Sequence, residues 1–357
     1  MILFFGLLAR IYVAFFSGLG WYGNDTQLYL NMAKGIIDGN PISFFPNGFP
    51  LLLACIMLID ESNVQIIVII LNIAMQIFTL LMIDKILARN TVEEKVRLWI
   101  LLIITFYPHF VSNVRFIYTE TPSLFLIVLG ILLYTYQKYP ASGFIGYLSY
   151  TFRPSLLLVL PFITIYDFFR KKKYPVVKTA LGFIIGILLF ISLEWSGIVA
   201  PQSNQDLNIL VAISGMGSNL DFQLKSFTAH EKNHPYKTYF NFILNHPLEY
   251  VKQRFLSLWS LWGPIVPANN FGILSMILHG LRFPFFILAV CCFIFRKKIG
   301  YSEFILLISF PIISVTLIHF FTFSHGRHQF TAEPFAIILS VLFLDYLLKS
   351  RKGNQDD

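Results

Sequence analysis

Hydrophobic and polar positions along this chain of 357 residues fall into long blocks. Apolar runs of nearly 20 residues recur from end to end, and short clusters of Lys and Arg separate many of them. A membrane-spanning helix needs about 20 apolar residues to cross a hydrocarbon core about 30 Å thick. The pattern therefore predicts an all-α polytopic membrane protein, with about ten transmembrane helices in a single transmembrane domain.

The expected spans form three groups separated by two longer polar stretches. The first apolar run has neither a cationic start nor a small-residue cleavage site, so we expect an uncleaved helix there. The expected boundaries are TM1 at 1–19, an outer loop at 20–63, TM2–TM7 within 64–199, a large outer loop at 200–265, TM8–TM10 within 271–349 and a cytoplasmic tail at 350–357.

The first polar stretch is expected to carry two interfacial helices. In the segment DTQLYLNMAKGIID, residues 25–38, the spacing of apolar and polar side chains places them on different faces of a helix. This is typical of an amphipathic helix that lies at the membrane interface. The following apolar segment, residues 49–59, has only 11 residues and is too short to cross. We therefore predict a second interfacial or re-entrant helix there.

A broken hairpin is expected at 141–169. Fewer than 32 residues lie between Lys138 and the cationic cluster that begins at Arg170, whereas two regular spans need about 40. Pro154 disfavours helical conformation at Arg153. Two half-helices meeting at Arg153 satisfy both facts, and such breaks are tolerated only inside protein or beside a water-filled cavity.

Composition and charge exclude several classes of protein. Only 13% of residues are charged, about half the share in a soluble domain. The net charge of +8 comes from clusters between apolar runs, which indicates positive-inside topology and not a nucleic-acid partner. The Phe- and Ile-rich composition is typical of a low-GC bacterium, and we expect a multi-pass protein of the bacterial inner (plasma) membrane. The three cysteines lie in apolar segments and imply no disulfide framework.

This topology gathers ionisable residues on the extracytoplasmic side. Charges at membrane depth are costly and are therefore functional candidates. A carboxylate can deprotonate an acceptor hydroxyl, and cations can hold an anionic leaving group. Transfer from a lipid phosphate would need this combination. The residues concerned are Asp25, His109, Arg115, Glu120, Arg153, His325, Arg327, His328 and Glu333.

Several segments, in order along the whole chain, resemble the GT-C glycosyltransferases. Arg10 followed by WYGNDTQLYLNMAKGIIDGN and PNGFPLLLA is similar to the opening of these enzymes. The later segments YPHFVSNVRFIYTETPSLFLIVLGILLY, ASGFIGYLSYTFRPSLLLVLP, NHPLEYVKQRFLSLWSLWGP and GRHQFTAEPFAIILS resemble their later loops and short helices. The likeness points to the glycosyltransferase family 39-like branch, which contains protein O-mannosyltransferases and the lipid A aminoarabinose transferase.

The resemblance implies an inverting transferase that moves a sugar from a polyprenyl-phosphate-linked donor on the extracytoplasmic face. The acceptor is a lipid, a glycan or a protein. No cofactor is expected, and a divalent metal is left open. The resemblance implies a general base at Asp25 and a second catalytic carboxylate at Glu120. The expected contacts to lipid phosphate and sugar are Arg153, Arg327, Arg115, His328 and Tyr29.

The sequence departs from the family pattern in two places. Two other functions also remain possible interpretations of the sequence. Thr26 stands where the family usually has a second acidic residue, and no large soluble C-terminal domain follows. The alternatives are a transporter, such as a flippase of lipid-linked oligosaccharides, and a polymerase or ligase of lipid-linked glycans. A transporter often has matching broken helices in paired halves, and the sequence shows no second break like that at Arg153.

Overall fold

The computed structural model describes residues 1–17, 25–42, 45–201, 228, 234–263, 273–322 and 328–353. Within these ranges the protein consists of helices and connecting turns, with no β-strand. The predicted all-α class is therefore confirmed for the described part of the chain.

The helices follow the apolar runs closely. In chain order they are α1 (Ile2–Phe15), α2 (Thr26–Ile37), α3 (Gly48–Asp60), α4 (Val64–Arg89), α5 (Glu94–Phe106), α6 (Pro108–Ser112), α7 (Glu120–Thr135), α8 (Tyr139–Phe152), α9 (Val159–Phe169), α10 (Lys173–Trp195), α11 (Pro235–Asn245), α12 (Pro247–Trp262), α13 (Ile273–Ile294), α14 (Arg296–Ile299), α15 (Ser302–Phe321) and α16 (Glu333–Gly353). Short 3-10 helices lie at Asn113–Arg115, Pro154–Leu156 and His328–Thr331.

Long apolar helices make the fold compatible with a membrane protein. Among the described residues α4, α10 and α15 are long and apolar enough to cross a membrane. A fourth span is obtained if α5 is joined to Pro108–Arg115, which is bent from it by 48°. The expected ten spans are thus not confirmed. Shorter apolar helices, of 10–17 residues, account for further apolar runs: Ile2–Phe15, Gly48–Asp60, Glu120–Thr135, Pro154–Phe169 and Gly280–Ile294.

The bend after α5 is a second helix break in addition to that at Arg153, so the expectation of a single break was wrong. Tyr107 has extended backbone angles, φ −62° and ψ 118°, and Pro108 begins α6. A proline disfavours helical conformation at the residue before it, so the apolar run divides at this point. As a result, the segment after Pro108 turns away from α5 and carries His109 with it.

The predicted break in 141–169 is present. Helix α8 ends at Phe152, Arg153 is extended with φ −148° and ψ 108°, and α9 begins at Val159. The hydroxyl of Ser314 in α15 donates a hydrogen bond of 2.7 Å to the carbonyl of Ser155. A neighbouring helix therefore satisfies a backbone group that the break leaves out of the helical ladder.

Glycines bring α8 and α10 into backbone contact. A Cβ on Gly143 would lie 1.9 Å from the carbonyl oxygen of Thr179, and one on Gly182 would lie 1.9 Å from that of Pro140. Small residues allow this kind of close approach between apolar helices. The contact fixes α8, whose last turn leads directly into Arg153.

Candidate functional site

Two polar side chains on the apolar helix α4 hold the segment that joins α6 to α7. The amide nitrogen of Asn72 donates to the carbonyl oxygens of Val114 at 3.2 Å and Phe116 at 3.0 Å. The amide nitrogen of Gln76 lies 2.7 Å from the Phe110 carbonyl and 3.4 Å from the Thr121 hydroxyl. A buried amide must find partners, so these contacts fix the backbone between them.

Arg10 of α1 completes the support of Gln76. Its Nε donates to Gln76 Oε1 at 2.8 Å, and its Nη1 donates to the carbonyl oxygens of Gly6 and Thr105 at 2.8 and 3.2 Å. The side chain is fully buried, and the guanidinium lies 5.2 Å from the centre of the Phe110 ring. Arg10 therefore ties α1 to α4 and α5 behind the candidate site.

Arg153 and Glu120 form a buried ion pair. Nη1 of Arg153 lies 3.2 Å from Glu120 Oε1 and 3.3 Å from the hydroxyl of Thr119. Arg153 is 8% exposed and Glu120 is 3% exposed. Glu120 is the first residue of α7, where a carboxylate also favours the helix dipole. Two of the residues expected in the site are thus in direct contact.

Arg115 ends the 3-10 helix that Asn72 holds in place. Its guanidinium lies 4.5 Å from the centre of the Phe116 ring. Nε and Nη1 are buried without a hydrogen-bond partner, and the side chain forms no ion pair with any residue that the structure describes. In contrast to Arg153, this arginine carries a charge that no described carboxylate compensates.

Asp25 and Tyr29 lie at the start of α2. Asp25 directly precedes the helix, and its side chain makes no capping hydrogen bond to α2. Tyr29 is buried, with its ring centre 5.0 Å from that of Phe49 in α3. The Phe49 ring lies 6.2 Å from that of Phe152, the residue before Arg153. A row of aromatic contacts thus connects α2 to the helix break.

A second polar cluster lies beside the first. Nδ1 of His109 is 2.8 Å from Glu333 Oε2, and Nε of Arg282 is 3.4 Å from Glu333 Oε1. Side-chain exposure is 20% for His109, 5% for Glu333 and 3% for Arg282. The sequence had placed His109 and Glu333 on one side of the protein without pairing them. Arg282 was missed as a site residue, although a lone arginine in the apolar run ILHGLRFPFF is the signal that marks it.

Two residues expected in the site lie wholly or partly outside the described part of the chain. Arg327 lies outside the described residues, as do 202–227 and 229–233 of the expected large loop. His328 begins the 3-10 helix His328–Thr331, which packs against α7, but its side chain is also outside the description.

No protein-family model, curated protein or solved structure matched this chain in the three comparisons. Among the described residues, no three His, Cys, Asp or Glu side chains are grouped as they would be around a metal ion.

Proposed function

We propose that this protein is a GT-C-type glycosyltransferase with about ten transmembrane helices in the inner membrane of a bacterium. It transfers a sugar from a polyprenyl-phosphate donor to a lipid, glycan or protein acceptor on the extracytoplasmic side. The observation that carries the proposal is the buried Arg153–Glu120 pair at the break between α8 and α9. A charged, hydrogen-bonded helix break among apolar helices is costly and marks a functional site.

The arginines suit the phosphate of the donor. A guanidinium can hold two phosphate oxygens with its planar fork. Glu120 compensates the charge of Arg153 and holds its orientation, whereas Arg115 has no described carboxylate beside it. In the proposed site Arg115 supplies the net positive charge and Arg153 the fixed donor. The proposal also includes Arg327 and His328, which precede α16 in the sequence.

Asp25 is the proposed general base, and Tyr29 helps to hold the sugar. The acceptor hydroxyl gives its proton to the Asp25 carboxylate as its oxygen attacks the anomeric carbon. The bond between that carbon and the phosphate oxygen breaks, and polyprenyl phosphate leaves with the electron pair. Glu120, held by Arg153, keeps the arginine ready for the developing charge. Such preorganised charge is often the largest contribution to catalysis.

Binding of polyprenyl monophosphate tests the proposal without knowledge of the sugar, because every donor of this class releases it. The wild-type protein in nanodiscs is expected to bind this lipid. Arg115→Ala and Arg153→Ala are expected to weaken binding by about ten- to a hundredfold, the worth of one charge-assisted contact.

Arg170→Ala is the matched control, since Arg170 pairs with Glu303 at a partly exposed position away from the helix break. Absence of binding by the wild type, or equal binding by all three variants, would contradict the proposed site. Passage of the donor across a vesicle membrane without its consumption would favour the flippase alternative.

A further inference from the structure

The cluster of His109, Glu333 and Arg282 has a net charge that depends on one proton. Arg282 compensates Glu333 from one side, at 3.4 Å between Nε and Oε1. His109 contacts the other carboxylate oxygen at 2.8 Å. With a neutral imidazole the three side chains sum to zero, and with an imidazolium they carry one positive charge. Histidine is the side chain that makes this change between about pH 5 and 8.

The geometry also determines which atom of His109 meets a ligand. Nδ1 is engaged by Glu333, and Nε2 makes no hydrogen bond to any residue that the structure describes. When Nδ1 carries the proton shared with the carboxylate, a neutral ring presents a lone pair at Nε2. The imidazolium presents an N–H at the same place. Nε2 therefore repels an anion in one state and donates a hydrogen bond to it in the other.

Gln76 connects the segment that carries His109 to the start of α7, where Glu120 lies. The amide nitrogen of Gln76 donates to the carbonyl of Phe110, the residue after His109, at 2.7 Å. The same nitrogen lies 3.4 Å from the hydroxyl of Thr121, the residue after Glu120. The Phe330 ring lies 5.9 Å from the ring of Phe110 and 5.3 Å from that of His109. One short stretch of chain thus carries His109, Arg115 and Glu120.

We infer that His109, oriented by Glu333, is a protonation-dependent ligand of the lipid phosphate and donates to a phosphate oxygen from Nε2. This inference rests on the proposed function, since it assigns the ligand of that site. Glu333 is a positioning residue, because it acts through the imidazole, and Arg282 lies 3.4 Å from its other carboxylate oxygen.

Charged and titratable groups lie on the segments that adjoin α6 and on the helices that contact α6 or Glu333. They are Glu333 of α16, Arg282 of α13, Arg10 of α1, Arg115 of the 3-10 helix and Tyr107 before α6. Glu333 contacts the imidazole directly, and Arg282 is joined to it only through its ion pair with Glu333.

The test compares affinities for polyprenyl monophosphate in nanodiscs at pH 5.5 and pH 8. The phosphate itself also titrates, with a second pKa of about 6, so the readout is the ratio of wild-type to His109→Gln affinity at each pH. Gln keeps an amide donor that does not titrate. We expect a ratio of about ten at pH 5.5 and of about one or less at pH 8. His246→Gln, a change at an exposed histidine between α11 and α12, should leave the ratio near one at both values.

A ratio that is the same at both pH values would overturn the inference. If Arg115→Ala loses binding but the ratio of wild-type to His109→Gln affinity is the same at both pH values, the inference about His109 is wrong and the proposed function still stands. Absence of wild-type binding would overturn both. Carbethoxylation of His109 in the wild type covers the case of a misfolded variant: bound polyprenyl phosphate should slow it several-fold, and equal modification with and without the lipid would contradict a contact at Nε2.

Discussion

Arg153, which follows α8, and Glu120, which begins α7, form an ion pair with 3.2 Å between Nη1 and Oε1. Both side chains are buried, so neither can exchange its partner for water. The pair therefore fixes the distance between the break after α8 and the start of α7. An arginine held in this way can meet a ligand without reorganisation.

Loss of one partner of this pair should be far more costly than loss of a surface pair. Glu120→Gln leaves a buried guanidinium uncompensated, which costs about 3–5 kcal/mol of folding free energy. The double change Arg153→Gln with Glu120→Gln should restore part of that loss. Thermal unfolding in detergent measures both.

The control is Glu61→Gln, which breaks the exposed pair with Lys34, where the side chains are 60% and 64% exposed. Exposed pairs contribute roughly 0–1 kcal/mol. If Glu120→Gln unfolded at the same temperature as Glu61→Gln, the pair would not be the buried contact described above.

The close approach of α8 and α10 gives a second stability prediction. Gly182→Ala would place a methyl group 1.9 Å from the carbonyl oxygen of Pro140, so the helices must separate. We expect a loss of about 1–3 kcal/mol, as for overpacked cores. Gly280→Ala is the matched helical control, because among the described residues no atom outside its own helix backbone lies within 4 Å of the added Cβ. Equal unfolding temperatures for the two variants would show that α8 and α10 are further apart.

Replacing arginine with lysine separates charge from geometry. Arg153→Lys and Arg115→Lys keep the positive charge but lose the planar fork, so turnover should fall by about ten- to a hundredfold, and the alanine variants should lose more. Arg170→Lys should have wild-type turnover. Initial rates of sugar transfer provide the measurement. Wild-type rates in both lysine variants would make these arginines lipid anchors and not phosphate ligands.

Much of the helical layout was predictable because prolines and apolar runs act locally. Pro154 broke the helix at Arg153 as expected, and α2 and α3 lie where the interfacial segments were predicted. The effect of Pro108 was available from the same rule, but the continuous apolar run around it suggested one span. Local sequence therefore gave helix positions more reliably than the number of crossings.

Partnerships between distant residues were not predictable. His109 and Glu333 are separated by 224 positions, and Arg10 and Gln76 by 66. Apolar periodicity places such residues on helices but does not say which buried polar groups face each other. The sequence analysis placed Arg153 and Glu120 in one site but did not pair them. Their ion pair results from the packing of α7 against α8.

The most direct test of the central claim is sugar transfer itself. Purified protein is given a panel of radiolabelled polyprenyl-phosphate sugars with bacterial envelope extract as the acceptor, and the anomeric configuration of the product is determined by NMR. We predict transfer from one donor with inversion. Asp25→Asn should reduce it by at least about a hundredfold without lowering the unfolding temperature, because a general base contributes 10²–10⁴-fold. Asp38→Asn, an exposed change at the other end of α2, should be as active as the wild type. Absence of transfer from every donor, retention of configuration, or full activity of Asp25→Asn would contradict the proposed function or its mechanism.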